Sequence, residues 1–163
     1  MGKQFLLNGE NPSGVRFANS PGFRQVAKRG AKRAGLAFER DCHDKLGQWY
    51  DTYMPGPWFQ FYASGRTRHA QPDGLIFDFS KREIILVEIK LSHCARAFRQ
   101  LELLYGPLVS AIFPDWSIRR FEVCRHFDPA VRLPSKLGEV GILRSGFERR
   151  GRSDATNVVV ARP

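Results

Sequence analysis

The segment of residues 84–89, Ile-Ile-Leu-Val-Glu-Ile, is the feature that most restricts the fold of this chain. Side chains alternate across a strand, and the apolar residues of this segment occupy both the odd and the even positions. A strand that is apolar on both faces is typical of the middle of a sheet that is covered on both sides. Residues 75–79 form a second strand-like run, and the polar residues 80–83 separate the two. We therefore predict a β-hairpin in a buried central sheet.

The rest of the chain predicts elements that could cover such a sheet. Helices are predicted over 24–53, where the two prolines of segment 54–57 end the pattern, and over 95–109. Strands are predicted over 58–63, 117–126 and 158–160, with a polar loop at 64–71. Apolar residues in helical phase mark the inward faces, at Phe38, Cys42, Leu46, Trp49, Tyr50 and Tyr53 in the first helix and at Phe98, Leu101, Leu104, Tyr105 and Leu108 in the second. The order helix, three strands, helix, strand indicates an α/β fold with a mixed central sheet flanked by helices.

The domain organisation is predicted to be simple. Residues 1–22 are rich in Gly, Asn, Pro and Ser, which predicts an irregular N-terminal arm. Residues 23–163 are then expected to form a single domain, because 163 residues are too few for two domains of ordinary size.

The central hairpin carries the candidate active-site residues Asp73, Glu88 and Lys90. Glu88 and Lys90 are two residues apart on one strand, so their side chains project from the same face. Directly opposed residues of an antiparallel pair share a face, and their numbers add up to a constant. A sum of 161 places Asp73 opposite Glu88, a sum of 163 places it opposite Lys90, and both registers put the turn within 79–83. Either register gathers two carboxylates and an ammonium group.

Such a group of side chains has a plausible chemical use. Adjacent carboxylates repel each other unless a cation neutralises them, and Mg²⁺ prefers oxygen ligands of this kind, to which the carbonyl of Ile89 would add another. A bound metal would activate water for phosphodiester hydrolysis, and Lys90 would orient or deprotonate that water. The alternative interpretation is that Glu-Ile-Lys is a surface tripeptide without chemical function.

The pattern Pro72-Asp73 followed by Glu88-Ile89-Lys90 resembles the signature of the PD-(D/E)XK, or restriction-endonuclease-like, nuclease superfamily. The predicted element order is similar to its αβββαβ core. The resemblance implies that Asp73 and Glu88 hold Mg²⁺ or Mn²⁺ and that Lys90 acts on the attacking water. It also implies that Glu39, on the first helix, completes the metal site; an ordinary exposed glutamate is the alternative.

Gln100 and Tyr105 are similar to a Gln/Tyr pair in the recombination-type exonuclease branch of that superfamily, in which Gln100 would contact a phosphate. Four residues separate the two here, whereas three are usual in that branch. Many members of the branch also carry cluster-binding cysteines, for which this chain has no counterpart. The resemblance covers about residues 35–125.

The charge of the chain favours a polyanionic partner. Twenty-six Lys and Arg against sixteen Asp and Glu give a formal net charge of +10. A basic excess of this size on a folded domain favours nucleic acid, because neutralised phosphates release counterions. The candidate nucleic-acid contacts are the residues of two basic segments, Arg66, Arg68 and His69 in the predicted loop and Lys28, Arg29, Lys32 and Arg33 near the first helix.

The cysteines and histidines suggest no other chemistry. The three cysteines are widely spaced and include no CxxC pair, which favours reduced thiols in an intracellular protein. The histidines have no metal-ligand spacing; His43 shares a helical face with Glu39, and His93 is expected at a helix start or on the surface. The sequence contains no apolar run long enough to cross a membrane, so we expect a cytoplasmic protein.

Together these observations predict a Mg²⁺-dependent deoxyribonuclease, with a structure-selective endonuclease acting on junction or branched DNA as the preferred form. RNA is not excluded as substrate, and a homodimer would suit a junction. The alternatives are an exonuclease of the same fold, a non-catalytic nucleic-acid-binding protein that retains the fold, and a small basic ribosome-associated factor.

Overall fold

The computed structural model describes Leu7, residues 10–22, residues 31–126 and the backbone of residues 140–144. The elements in chain order are β1 (Ser13–Ala18), α1 (Ala31–Trp49), β2 (Tyr53–Pro55), β3 (Trp58–Ala63), β4 (Arg66–Ala70), β5 (Gly74–Asp78), β6 (Glu83–Ser92), α2 (Ala95–Gln100), a π-helical turn (Leu101–Tyr105), α3 (Gly106–Ile112), β7 (Ser117–His126) and β8 (Val140–Arg144). The fold is therefore of the mixed α/β class.

The strands form two sheets. The central sheet has the order β2-β5-β6-β7-β8, and the second sheet has the order β1-β3-β4. In the central sheet β5 is antiparallel to β2 and β6, whereas β6, β7 and β8 run parallel to one another. The predicted mixed central sheet is thus confirmed, with the predicted hairpin as β5 and β6.

The strand β6 is covered on both faces, as its sequence predicts. On one face Ile84 and Leu86 belong to an apolar cluster with the helical residues 101–109 and with β3. On the other face Val87 and Ile89 belong to a second cluster, which includes Phe38, Cys42 and Leu46 of α1. The two helical segments therefore lie on opposite faces of the central strand.

The chain passes from one sheet to the other at Gly56. This residue has φ of +52°, a conformation that favours glycine, and a Cβ there would lie 2.8 Å from Nε2 of Gln71. Trp58–Ala63 is a strand with the predicted bounds, but it lies in the second sheet. The short strand β2 occupies the edge of the central sheet beside β5.

Two strands occur where irregular structure was predicted. β1 lies within the supposed irregular arm, where it pairs with β3 and packs Val15 against the core. β4 occupies most of the supposed polar loop and pairs with β3 over its whole length. Both are edge strands of a three-stranded sheet in which β3 is the middle strand.

The first helix differs from its prediction at the C-terminal end. It ends at Trp49, and Tyr53 belongs to β2. Trp49 is 67% exposed, because the inward residues Phe38, Cys42 and Leu46 are spaced by four and the next position in that series is the half-buried Tyr50.

The second helix has the predicted inward face and extends to Ile112, and β7 has the predicted bounds. Residues 24–30 of the first predicted helix and the predicted strand 158–160 lie outside the described residues. Within the described part of the chain, no helix has the length and apolar character needed to cross a membrane.

Candidate active site at the end of the central hairpin

The register of the hairpin decides between the two predicted alternatives. Gly74 lies opposite Val87 and Leu75 opposite Leu86, so the paired numbers add up to 161. Continued by one residue, this register places Asp73 beside Glu88. Oδ2 of Asp73 accepts a hydrogen bond of 2.5 Å from the backbone N–H of Ile89, which fixes the carboxylate against the edge of β6.

Lys90 joins the two carboxylates. Its ammonium group donates to Oε1 of Glu88 and lies 3.7 Å from Oδ2 of Asp73. It also donates to the carbonyl oxygen of Ile89 at 3.2 Å. The structure therefore brings together Asp73, Glu88, Lys90 and the Ile89 carbonyl, four of the groups that the sequence singled out.

Burial makes the charges in this cluster interact strongly. Glu88 is only 1% exposed, and burial, followed by the nearby charge of Asp73, raises the pKa of its carboxyl to about 8. Burial also raises the pKa of Asp73, against the opposing effects of Lys90 and the Ile89 N–H. For Lys90, burial alone would lower the pKa, but the carboxylates of Glu88 and Asp73 outweigh it and raise the value.

One oxygen of Glu88 has no partner among the described residues. Oε2 is buried and accepts no hydrogen bond there, whereas Oε1 is bound by Lys90. A buried acceptor without a partner costs roughly 1–3 kcal/mol. Such an atom is suited to bind something from outside the chain, and a carboxylate oxygen suits a hard cation such as Mg²⁺.

Glu39 faces the same region from α1. Its carboxylate lies 3.8 Å from Nε2 of His43, and its charge contributes to the raised pKa values of Asp73 and Glu88. Among the described residues, however, no three His, Cys, Asp or Glu side chains are close enough to form a complete metal site by themselves. Glu39 is thus near the site without forming a preassembled ligand set with Asp73 and Glu88.

A hydrogen-bonded chain links α1 to Asp73. Nδ1 of His43 lies 2.5 Å from the hydroxyl of Tyr53, which donates to the backbone oxygen of Asp73 at 3.5 Å. Gly74 makes this arrangement possible, since a Cβ there would lie 2.5 Å from the Tyr53 ring. The sequence predicts that the half-buried His43 shares a helical face with Glu39, and the structure adds its link to Asp73 through Tyr53.

Glu122 is the buried acidic residue that sequence reasoning missed. It is fully buried on β7 and lies beside Glu88 in the parallel register of β6 and β7. Its Oε2 lies 2.7 Å from Nδ1 of His93, and its Oε1 accepts from the N–H of Cys94 at 3.1 Å. His93 is therefore buried and directly precedes Cys94, the N-cap of α2, so of its two predicted positions, a helix start or the surface, the helix start is the one observed. A signal was present: Glu122 lies between the apolar residues Phe121 and Val123, just as Glu88 lies between Val87 and Ile89 in β6.

Gln100 and Tyr105 contact each other across the π-helical turn. Nε2 of Gln100 donates to the Tyr105 hydroxyl at 3.1 Å, and both side chains are buried. In a regular α-helix two residues five apart would point in different directions, but the wider turn aligns them. Burial, followed by the charge of Glu88, raises the pKa of Tyr105, so its hydroxyl lies near the acidic cluster. Gln100 faces Tyr105 in this structure and presents little surface to solvent.

The predicted nucleic-acid contacts are spread over two elements. Arg66, Arg68 and His69 lie on β4, where His69 projects from the opposite face to the two arginines. Arg33 is exposed in the first turn of α1. Lys32 is part of that helix by its backbone, and Lys28 and Arg29 lie outside the described residues.

Comparisons with known proteins add no assignment. A scan against protein-family models, a search of the curated proteins and a search of the solved structures each gave no match.

Proposed function

We propose that this chain is a metal-dependent nuclease of the PD-(D/E)XK type that hydrolyses phosphodiester bonds of DNA. The observation that carries the proposal is the convergence of Asp73, Glu88 and Lys90 at one end of the central hairpin, with a buried Glu88 oxygen left without a partner among the described residues. Two buried carboxylates held together by one lysine are electrostatically costly, and a binding role for them explains that cost.

The architecture supports the same proposal. The elements α1, β5, β6, the helical segment 95–112 and β7 follow the order of a restriction-endonuclease-like core, with β5, β6 and β7 adjacent. The chain departs from that core at one place, because β3 lies in a second sheet and β2 stands beside β5. This departure affects an edge strand and leaves the hairpin that carries the acidic cluster unchanged.

The ligands proposed for Mg²⁺ or Mn²⁺ are Asp73, Glu88 and the Ile89 carbonyl, with Glu39 completing the set. When bound, the ion supplies the activation of water and the neutralisation of phosphate charge. The Ile89 N–H holds the Asp73 carboxylate in place at 2.5 Å. Lys90 would remain an ammonium group, because both carboxylates raise its pKa. We therefore assign it to orienting the attacking water and stabilising negative charge on the phosphate, and not to removing a proton.

The test compares cleavage of plasmid, single-stranded and branched DNA with and without Mg²⁺. Asp73→Asn, Glu88→Gln and Lys90→Ala should each lower the rate by at least about 100-fold, because each removes an interaction with the metal or the reacting phosphate. Asp78→Asn is the matched control: it lies on the same hairpin at the opposite end, where its carboxylate accepts from Ser80. Equal rates for all these variants, or DNA binding without cleavage by the wild type, would refute the enzyme and favour the non-catalytic binding protein.

The preferred substrate is branched or junction DNA, bound mainly through phosphate contacts of the basic segments, and a homodimer in the cytoplasm remains part of this proposal. A second candidate is an exonuclease of the same fold. The observation that favours it is the effect of the Glu88 charge on the pKa of the Tyr105 hydroxyl, to which Gln100 donates. Cleavage of linear but not of circular DNA would identify the exonuclease.

A further inference from the structure

The second sheet has one buried face and one open face. Phe59, Phe61 and Ala63 of β3 are buried in the core, so the alternate residues of β3 project outward. The register adds their neighbours, since His69 and Arg16 pair with Gln60, and Thr67 pairs with Tyr62. The outer face of the second sheet therefore presents Trp58, Gln60 and Tyr62 of β3, Arg16 of β1, and Thr67 and His69 of β4.

The composition of this outer face suggests a ligand. Tyr62 is 51% exposed although it lies in the middle strand of the sheet, and Arg16 and Thr67 are also exposed. Nε and Nη2 of Arg16 donate to Oε1 of Gln60 at 2.9 and 2.5 Å, which fixes the guanidinium against the side chain of the middle strand. An aromatic ring between fixed cationic and polar groups is the arrangement that stacks on unpaired bases while contacting their phosphates.

The outer face of the second sheet is continuous with the candidate active site. β4 ends at Ala70, three residues before Asp73, and Trp58 begins β3 two residues after Gly56. The N–H of Gly56 donates to the Asp73 carbonyl at 2.9 Å, and Nε2 of Gln71 donates to the Gly56 carbonyl at 2.8 Å. A strand lying along β3 from Tyr62 towards Trp58 would thus reach the loop that carries Asp73.

We propose that the outer face of the second sheet binds an unpaired strand of nucleic acid and leads it towards Asp73, Glu88 and Lys90. As a statement about substrate, this inference rests on the proposed nuclease function. Bases stack on Tyr62 and Trp58, and phosphates contact Arg16 and His69. A duplex does not fit this role, because its bases stack on one another and offer no free ring faces. The formal net charge of +10 is complementary to such a partner.

The test measures binding of a labelled oligothymidylate and of a blunt duplex of the same length, in EDTA so that no cleavage occurs. Tyr62→Ala should weaken oligothymidylate binding by about 10-fold and leave duplex binding unchanged, whereas Tyr62→Phe should retain the affinity because it retains the ring. Phe79→Ala is the matched control: Phe79 is 66% exposed at the hairpin turn, at the opposite end of β5 from Asp73. Unfolding midpoints of all variants check that the fold is intact.

The outcomes separate this inference from the proposed function. Loss of single-strand binding in Tyr62→Ala but not in Phe79→Ala supports it, whether or not the wild type cleaves DNA. Unchanged binding in Tyr62→Ala, an equal loss on the duplex, or no oligothymidylate binding by the wild type would overturn it. Cleavage that depends on Asp73 together with unchanged binding in Tyr62→Ala would leave the nuclease standing and refute this surface alone.

Discussion

Glu88 and Glu122 are two buried carboxylates at the same level of neighbouring parallel strands, yet their surroundings differ. Both oxygens of Glu122 have partners, namely the His93 ring and the N–H of Cys94. Glu88 shares Lys90 with Asp73, and its second oxygen has no partner among the described residues. The first arrangement is complete within the fold and ties the end of β6 to β7 at the start of α2. The second is incomplete, which is expected of a group that binds a ligand.

From this comparison we expect that removing the Glu122 side chain causes the largest loss in the free energy of unfolding. Glu122→Ala removes the carboxylate that the buried His93 ring and the Cys94 N–H contact, and it should lower the free energy of unfolding by about 3–5 kcal/mol. Denaturant unfolding measures this loss. Glu83→Ala is the control, since its Arg119 partner is 39% exposed at 3.6 Å and such pairs contribute about 1 kcal/mol or less. Equal losses for the two variants would show that the Glu122 pair is not the structural tie described here.

Replacing Glu88 with Gln should instead raise the free energy of unfolding at high pH. Because its pKa is raised from 4.5 to about 8, the folded state holds a proton that the unfolded state releases between these values. Wild-type stability therefore falls as pH rises through this window, and the loss is complete above about pH 8. Glu88→Gln mimics the protonated form, so it should match the wild type near pH 5 and exceed its free energy of unfolding by on the order of 2–3 kcal/mol at pH 9.

Unfolding curves of both proteins across this pH range make the measurement, without divalent ions present. A constant difference between the two proteins at every pH would contradict the raised pKa of Glu88.

A divalent ion should stabilise the protein by binding at Asp73 and Glu88, and not at Glu122. Mg²⁺ or Mn²⁺ at ten times its Kd should raise the free energy of unfolding by about 1.4 kcal/mol. The effect should grow with pH, because the ion competes with the proton on Glu88. Thermal unfolding at matched ionic strength with NaCl separates binding from screening. The stabilisation should be absent in Asp73→Asn, and its persistence there would place the ion elsewhere.

The smallest effect is expected at Tyr105. Tyr105→Phe removes the hydroxyl that accepts from Gln100 and should cost about 1 kcal/mol of stability. If this hydroxyl also takes part in the proposed chemistry, the cleavage rate should fall by more than the stability loss explains. An unchanged rate would confine Tyr105 to packing and weigh against the exonuclease alternative.

The predictable parts of this molecule depend on local rules. Side-chain alternation and one polar break predicted two possible registers for the hairpin. The structure has one of these two registers, which places Asp73 beside Glu88. β3 and β7 have their predicted bounds because apolar and β-branched residues are dense there.

The parts that could not be predicted depend on distant contacts. The partnership of Glu122 with His93 joins residues twenty-nine apart, and it requires the parallel pairing of β6 and β7. The edge strand β1 begins with Ser13 and Gly14, which are typical of loops, and Ala70 is the only apolar residue of β4. Trp49 fitted the helical stripe by spacing alone, but it is the last residue of α1 and is 67% exposed.

The π-helical turn has a consequence for how such a chain tolerates changes in length. The N–H of Gly106 donates to the carbonyl of Leu101, five residues back, so the turn contains one residue more than an α-helix would. Deleting one residue there would restore regular winding, and Gln100 and Leu108 would keep nearly the same orientation relative to each other. An inserted residue is thus absorbed within a single turn, and the segments on either side keep separate orientations, one towards the acids and the other towards the core.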